Sequence, residues 1–332
     1  MSRVLITGSA GFIGRHLMSR LKGMGHAVLG IDNMSSQVHG KRSVVPQGSV
    51  RMSVTDKSRV TSVIKEHAPE IVYHLAAETG VGQSSYRLER YVRTNVLGLG
   101  VVLEALQDRQ VRVVLASSRA VYGDRGSRVG GVQEDEVLEP KSVYAETKLE
   151  QERLLLLSAS QSCVRPLIFR LFNVYGPGQS LRNPYTGVLG TFALRALDSQ
   201  DLIVYEDGLQ TRDFVYIDDV VDALAELGSG SATGVVNIGS GRGVTIRRCA
   251  EMVAAACGGV SRIIVSGRTR VGDVRHCTAS IVSAGKMGWT PGVAFEDGVP
   301  RYVNWVRQQP KVLDRSEAAW RELVHHGRGR VG

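Results

Sequence analysis

RVLITGSAGFIG, residues 3–14, is the stretch that decides the fold. Arg3 to Thr7 form an apolar, β-branched run of strand character. Gly8, Gly11 and Gly14 then make a G-x-x-G-x-x-G turn, and Phe12 to Met24 carries apolar residues at helical spacing. Glycines there permit a tight turn, close approach of backbone to a pyrophosphate, and close packing of helix on strand. A phosphate at the turn meets the free N–H groups and the positive dipole end of the helix. Glycine-rich turns are common, but one set between a strand and a helix is a dinucleotide-site signature.

Strand and helix continue to alternate. AVLGID (27–32) reads as the second strand, Lys57 to His67 as a helix and EIVYHLAA (70–77) as the third strand. Tyr91 to Asp108 reads as a helix, VRVVLASS (111–118) as the fourth strand and Val143 to Ser158 as a helix. VRPLIFRLFNVYG (164–176) is a further buried strand with its exit loop, and Thr186 to Asp198 a helix. The fold class expected is α/β: a Rossmann-type doubly wound parallel sheet covered on both faces, with a smaller mixed α/β substrate lobe. The first unit is expected over 1–174 with returning segments near 213–240, and the lobe over 175–212 and 241–320. Residues beyond Leu313, above all 321–332, are expected to be peripheral, with Arg328 and Arg330 of HHGRGR in a Gly-rich tail.

The bulk properties narrow the function classes. With 332 residues the chain can bury a substantial core. No apolar run approaches the roughly 20 residues that cross a bilayer, and MSRVLITGSAGFIG has no signal-peptide character, so a cytoplasmic location is the default expectation. Cys163, Cys249, Cys257 and Cys277 show neither CxxC nor zinc-ligand spacing, so reduced thiols and no metal are expected. The formal charge of +9 is scattered along the chain and accompanies no nucleic-acid-binding motif.

Asp32 closes the second strand 18 residues after Gly14 (32 − 14). An acidic side chain there can accept hydrogen bonds from both adenosine ribose hydroxyls and repels a 2′-phosphate, favouring NAD over NADP; the plainer reading is a turn cap. Tyr144 and Lys148 stand at i and i+4 of a predicted helix, so they share a face. Ser118 ends the fourth strand at the carboxyl edge where doubly wound folds hold ligands. Tyr144 needs a neighbouring cation to act as a base near neutral pH, and Lys148 and the nicotinium ring of NAD⁺ are the candidates. Each residue alone has a structural explanation; the ordered set points to proton abstraction from an alcohol coupled to hydride transfer.

In order, GSAGFIG, HLAAETG, ASSRAVYG, VYAETK, FNVYGPGQ, RDFVYIDDV, RVGDVRH and GWTP resemble the extended short-chain dehydrogenase/reductases of the NDP-sugar epimerase/dehydratase family, over almost the whole chain. The resemblance implies catalytic Ser118, Tyr144 and Lys148, and an NAD site that adds Phe12, Ile13, Asn33, Leu75, Ala76, Asn95 and Ser117 to the glycines and Asp32. It also implies that Asn173, Val188, Tyr205, Arg212 and Arg270 hold the diphosphate or base of a nucleotide sugar; guanidinium suits phosphate because it grips two oxygens at once. The plain alternative for Arg212 and Arg270 is a salt bridge with Asp213 or Asp273. Ser53 stands where family members commonly carry an acid that contacts adenine. A homodimer through the helices Tyr91 to Asp108 and Val143 to Ser158 is also implied.

In the family's 4,6-dehydratases the serine position is followed by Asp and Glu, whereas here Arg119 and Ala120 follow Ser118. That pair cannot eliminate water, leaving Glu78 as the acid that would have to reach the sugar. The simplest reading is a 4-epimerase working through a 4-keto intermediate. HLAAETGVGQS and FNVYGPGQSLRNPYTGVL are similar to the branch containing dTDP-L-rhamnose 4-epimerases. Dehydration, decarboxylation of a UDP-uronate, and a non-catalytic NAD(H) sensor stay open as alternatives.

Overall fold

β1 (Arg3–Thr7) is an inner strand of a seven-stranded parallel sheet. The computed structural model describes residues 1–40, 43–126, 129–185 and 187–331. On one side of β1 lie β2 (Ala27–Asp32) and β3 (Ser49–Arg51). On the other lie β4 (Ile71–His74), β5 (Val111–Ser118) and β6 (Val164–Leu171). Alternate side chains leave opposite faces of a strand. Val4 and Ile6 therefore enter a core with Leu17 and Leu21 of the helix Phe12–Gly23, while Leu5 enters another with Val60 and Ile64 of the helix Lys57–His67. The chain runs outward from β1 to β3 and then crosses back to β4, so the crevice at the strands' carboxyl ends opens between β1 and β4.

Two elements differ from the sequence reading. The strand expected as third is fourth in chain order, because β3 precedes it; β3 has three half-buried or exposed residues and lacks an apolar run. The helix expected from Tyr91 to Asp108 is composite: Leu88–Tyr91, a π-helical stretch Val92–Leu97 in which Gly98 N–H reaches the Arg93 carbonyl five residues back, and Gly98–Ala105.

β7 (Asn173–Tyr175), β8 (Leu202–Val204) and β9 (Thr211–Tyr216) leave the main sheet. β10 (Gly234–Ile238) returns to it beside β6. β11 (Gly243–Thr245) joins β9 and β7, and β12 (Ile263–Val265) pairs with β8. A third core fills the space beneath them, with Phe192, Phe214, Ile246, Phe295 and Tyr302. Phe12 and Ile13 pack against it, so the glycine turn is where it meets the core of Val4 and Ile6. The helix expected from Thr186 runs Val188–Leu197; Thr186 itself lies outside the described residues. No described helix is long and apolar enough to cross a membrane.

The expectation of a peripheral tail is corrected. Helix Ser316–His325 buries Ala319, Trp320 and Leu323, and β14 (Gly329–Val331), carrying Arg330, pairs antiparallel with β13 (Arg268–Arg270). The apolar spacing of Ala319, Trp320 and Leu323 is helical and was readable; the surface it packs on was not.

Candidate active site

Gly8 has a positive φ of 71°, and a Cβ on it would stand 2.8 Å from the Ala76 nitrogen. A Cβ on Gly14 would stand 2.2 Å from the Gly8 carbonyl oxygen. The turn thus seats the helix N-terminus against the ends of β1 and β4, and no side chain caps that terminus. A cavity of about 110 Å³ opens beside it, walled in part by Gly8, Gly11, Asp32, Asn33, Leu75 and Ala76.

Asp32 faces this cavity and caps the turn as well: its carboxylate accepts from Met34 N–H at 2.8 Å and Ala10 N–H at 3.1 Å. Burial works to raise its pKa, but the hydrogen bonds and charge of His39 and the backbone N–H groups prevail, and the carboxyl lies below its ordinary value. It is therefore an anion. His39, 3.6 Å from Asp32, also lines the cavity and escaped the sequence reading. Ser53 turns its hydroxyl to Thr55 at 2.8 Å, and apolar Met52 and Val54 wall the cavity beside it. Glycine backbone, a free helix terminus and a ribose-sized anionic wall fit an NAD molecule.

Two expected cofactor contacts sit behind the wall. Asn95 is fully buried, its amide donating to the Thr147 hydroxyl at 2.9 Å and the Glu78 carbonyl at 3.2 Å, and its Oδ1 accepting from Glu78 N–H at 2.8 Å. Ser117 donates to Glu152, which is ion-paired with buried Arg170 at 2.8 Å. Both stiffen the frame of the site.

Ser118, at the end of β5, caps a single 3₁₀ turn through Ala120 N–H and faces Tyr144. Tyr144 occupies the first turn of the helix Val143–Ser160, which starts where it does because Ser142 accepts from Ala145 N–H at 3.1 Å. One turn on, Lys148 is buried and donates to the Ala116 carbonyl at 2.8 Å. Burial pulls the Lys148 pKa down to about 7, with Glu152 opposing. Burial raises Tyr144, opposed by the Ser118 hydroxyl and the charge of Arg119. The structure brings the three residues together, with Arg119 as a further positive charge near Tyr144.

On the lobe side a cavity of about 240 Å³ gathers Asn173, Val188, Tyr205, Arg212 and Arg270, all expected there, and Arg119, which was not. Arg212 donates to the Thr211 and Arg275 carbonyls, not to Asp213, whose carboxylate instead holds Ser240, Gly241 and Ala279 N–H. Arg270 does pair with Asp273, at 2.8 Å, while its guanidinium lies 5.2 Å from the Tyr205 ring centre. Two buried acceptors on the cavity wall, Asn173 Oδ1 and Gln210 Oε1, have no hydrogen-bond partner. Such orphans are costly unless a ligand donates to them. Glu78 does not reach this cavity; it lines the NAD-side one and pairs with Arg90 at 2.8 Å.

The C-terminal helix roofs the lobe cavity. Trp320 meets Tyr205 edge-on at 5.2 Å, and Arg268 lies 4.9 Å from the Trp320 ring centre while pairing with Glu317 at 2.6 Å. Sequence reasoning missed Trp320 and Gln210 as lining residues, since neither belongs to a spaced motif, and read Arg119 only as the absence of an acid.

Residues 4–239 match the NAD dependent epimerase/dehydratase family. The chain is 35% identical to a dTDP-L-rhamnose 4-epimerase of Burkholderia thailandensis, over 94% of this chain and 96% of that one. Its fold superimposes on a Thermus thermophilus UDP-glucose 4-epimerase in complex with NAD with a TM-score of 0.83, at 32% identity over 93% and 100% of the two chains. A Thermotoga maritima UDP-glucose 4-epimerase with UDP-glucose gives a TM-score of 0.86, at 32% identity over 92% and 98%.

Proposed function

Because the chain belongs to the NAD-dependent epimerase/dehydratase family and is an NAD-dependent nucleotide-sugar epimerase, we propose that it inverts C4 of an NDP-hexose, with dTDP-L-rhamnose the first candidate. The observation that carries the reading is Ser118 facing Tyr144, with Lys148 one helical turn behind it and no acid at the two positions after Ser118.

When bound, NAD supplies a hydride acceptor that later returns the hydride. Tyr144 takes the proton of the sugar O4 as C4 is oxidised and gives it back on reduction, with Ser118 holding that hydroxyl between them. Lys148 fixes the Tyr144 face of its helix to β5 through the Ala116 carbonyl. Arg212 and Arg270 grip the diphosphate, which stays held while the keto sugar turns its other face. Arg119 and Ala120 offer no acid for loss of water, and Glu78 is engaged with Arg90 on the cofactor side. The choice of dTDP-L-rhamnose rests on the 35% identical relative. A homodimer is proposed through the composite helix and Val143–Ser160, which leave Leu88, Val92, Leu97, Leu156 and Leu157 exposed.

Incubation with dTDP-L-rhamnose and a panel of UDP- and dTDP-hexoses, followed by NMR of the products, tests the reading. An isomer of unchanged mass, inverted at C4, is expected. Loss of water or CO₂ moves the assignment to dehydration or decarboxylation.

A further inference from the structure

Arg119 is the residue that the site as read so far leaves without a task. It follows Ser118 directly, in the 3₁₀ turn Arg119–Tyr122 that bends the chain off the end of β5, and so enters the lobe cavity from the sugar end. Its Nη1 is buried and has no hydrogen-bond partner. Among the described residues no carboxylate lies within ion-pairing distance of it; its neighbour is the Cys277 thiol, at best a weak acceptor.

The neighbouring cations are differently placed. Arg270 is neutralised by Asp273, and Arg212 is held by two carbonyls. Arg212 is pulled down to about 10, first by burial and next by the positive charge of Arg119. Two guanidiniums near enough to oppose each other in a buried cavity, one with an unused donor, form an arrangement that costs stability until an anion enters. A diphosphate is that anion, and Arg119, on the Ser118 side, meets the phosphate nearer the sugar.

We propose that Arg119 is a third diphosphate ligand, specific for the β-phosphate of the nucleotide sugar, which anchors the C1 end of the hexose while the ring turns. This rests on the nucleotide-sugar reading above. An arginine at this position then serves the epimerisation, since it holds the phosphate on C1, across the ring from the reacting C4, without supplying an acid that would eliminate water.

Calorimetric titration of the NAD-loaded protein with dTDP, dTMP, UDP and UMP tests the assignment without knowledge of the sugar. The wild-type protein is expected to prefer each diphosphate over its monophosphate. Arg119→Met should cut that preference by about tenfold, the worth of one charge-assisted phosphate contact, with monophosphate affinity unchanged. Arg119→Lys, which keeps the charge and fills the space, should retain most of the preference and guards against a folding defect in the first variant. A diphosphate preference that is unchanged in Arg119→Met, or monophosphate binding that falls in step with diphosphate binding, overturns the role of Arg119 alone. A wild-type protein that binds neither class overturns the nucleotide-sugar reading and this inference with it.

Discussion

The Lys148 ammonium donates to the Ala116 carbonyl at 2.8 Å, two residues before Ser118 on the same strand. The bond ties the helix that carries Tyr144 to the strand that carries Ser118. Burial of that ammonium leaves its pKa near 7, below the ordinary 10.5. In the window between those values the unfolded chain holds the proton more tightly than the folded one, so this group's contribution makes stability rise with pH; below about 7 the cost is full. Lys148→Met should therefore stabilise the fold most below about pH 7, with an upper bound of about 5 kcal/mol from roughly 1.4 kcal/mol per unit, and not at all above the unfolded value. Urea midpoints of both proteins at about pH 6, 8 and 10 would show it. A gain that does not shrink as pH rises would contradict a buried, weakly basic Lys148.

Tyr144→Phe removes the hydroxyl that Ser118 faces and leaves the ring, which Tyr91 meets edge-on at 6.4 Å. Turnover should fall by roughly 10³-fold with circular dichroism unchanged, as expected when the acid/base of a proton transfer is lost. Near-normal turnover would remove Tyr144 from the chemistry.

Asp32→Ala should weaken NAD by about tenfold or more and narrow the preference over NADP, since the repelling anion is gone. The same change frees two backbone N–H groups, at Ala10 and Met34, and should cost about 1 kcal/mol of stability. Cofactor fluorescence titrations with both nucleotides separate the effects: lost stability with unchanged cofactor choice would make Asp32 a cap only.

Trp320→Ala opens the roof of the lobe cavity. Because Trp320 is only 6% exposed, a stability loss of about 3–5 kcal/mol is expected. KM for the nucleotide sugar should rise about tenfold while kcat holds, because the contact is uniform through the reaction. Unchanged KM would mean that the C-terminal helix closes the cavity without touching the substrate.

VRVVLASS, buried at every position, and VRPLIFRL, buried from Leu167 onward, could be read as inner parallel strands without knowing their partners. The edge strand Ser49–Arg51 could not, since one half-buried valine between Ser49 and an exposed Arg51 carries no such pattern. The π-helical stretch escaped for a related reason: it lies where Asn95 bonds across to Glu78 and Thr147, partners 17 and 52 residues away. Glu78 was misjudged because its partner Arg90 comes to it only after the loop and helix between them fold.

Local spacing in the chain was enough to determine the alternating α/β fold, the glycine turn, Asp32 at a strand end, and Tyr144 and Lys148 on one helical face. Those features depend on backbone periodicity and on residues within a turn or two of one another. Tertiary structure alone decided that Arg119, Arg212 and Arg270 share one cavity, that Asp273 neutralises only the last of them, and that the C-terminal helix roofs the space. Convergence of like charges has no sequence period, because it is held by burial and long-range contacts that exist only once the cores have closed.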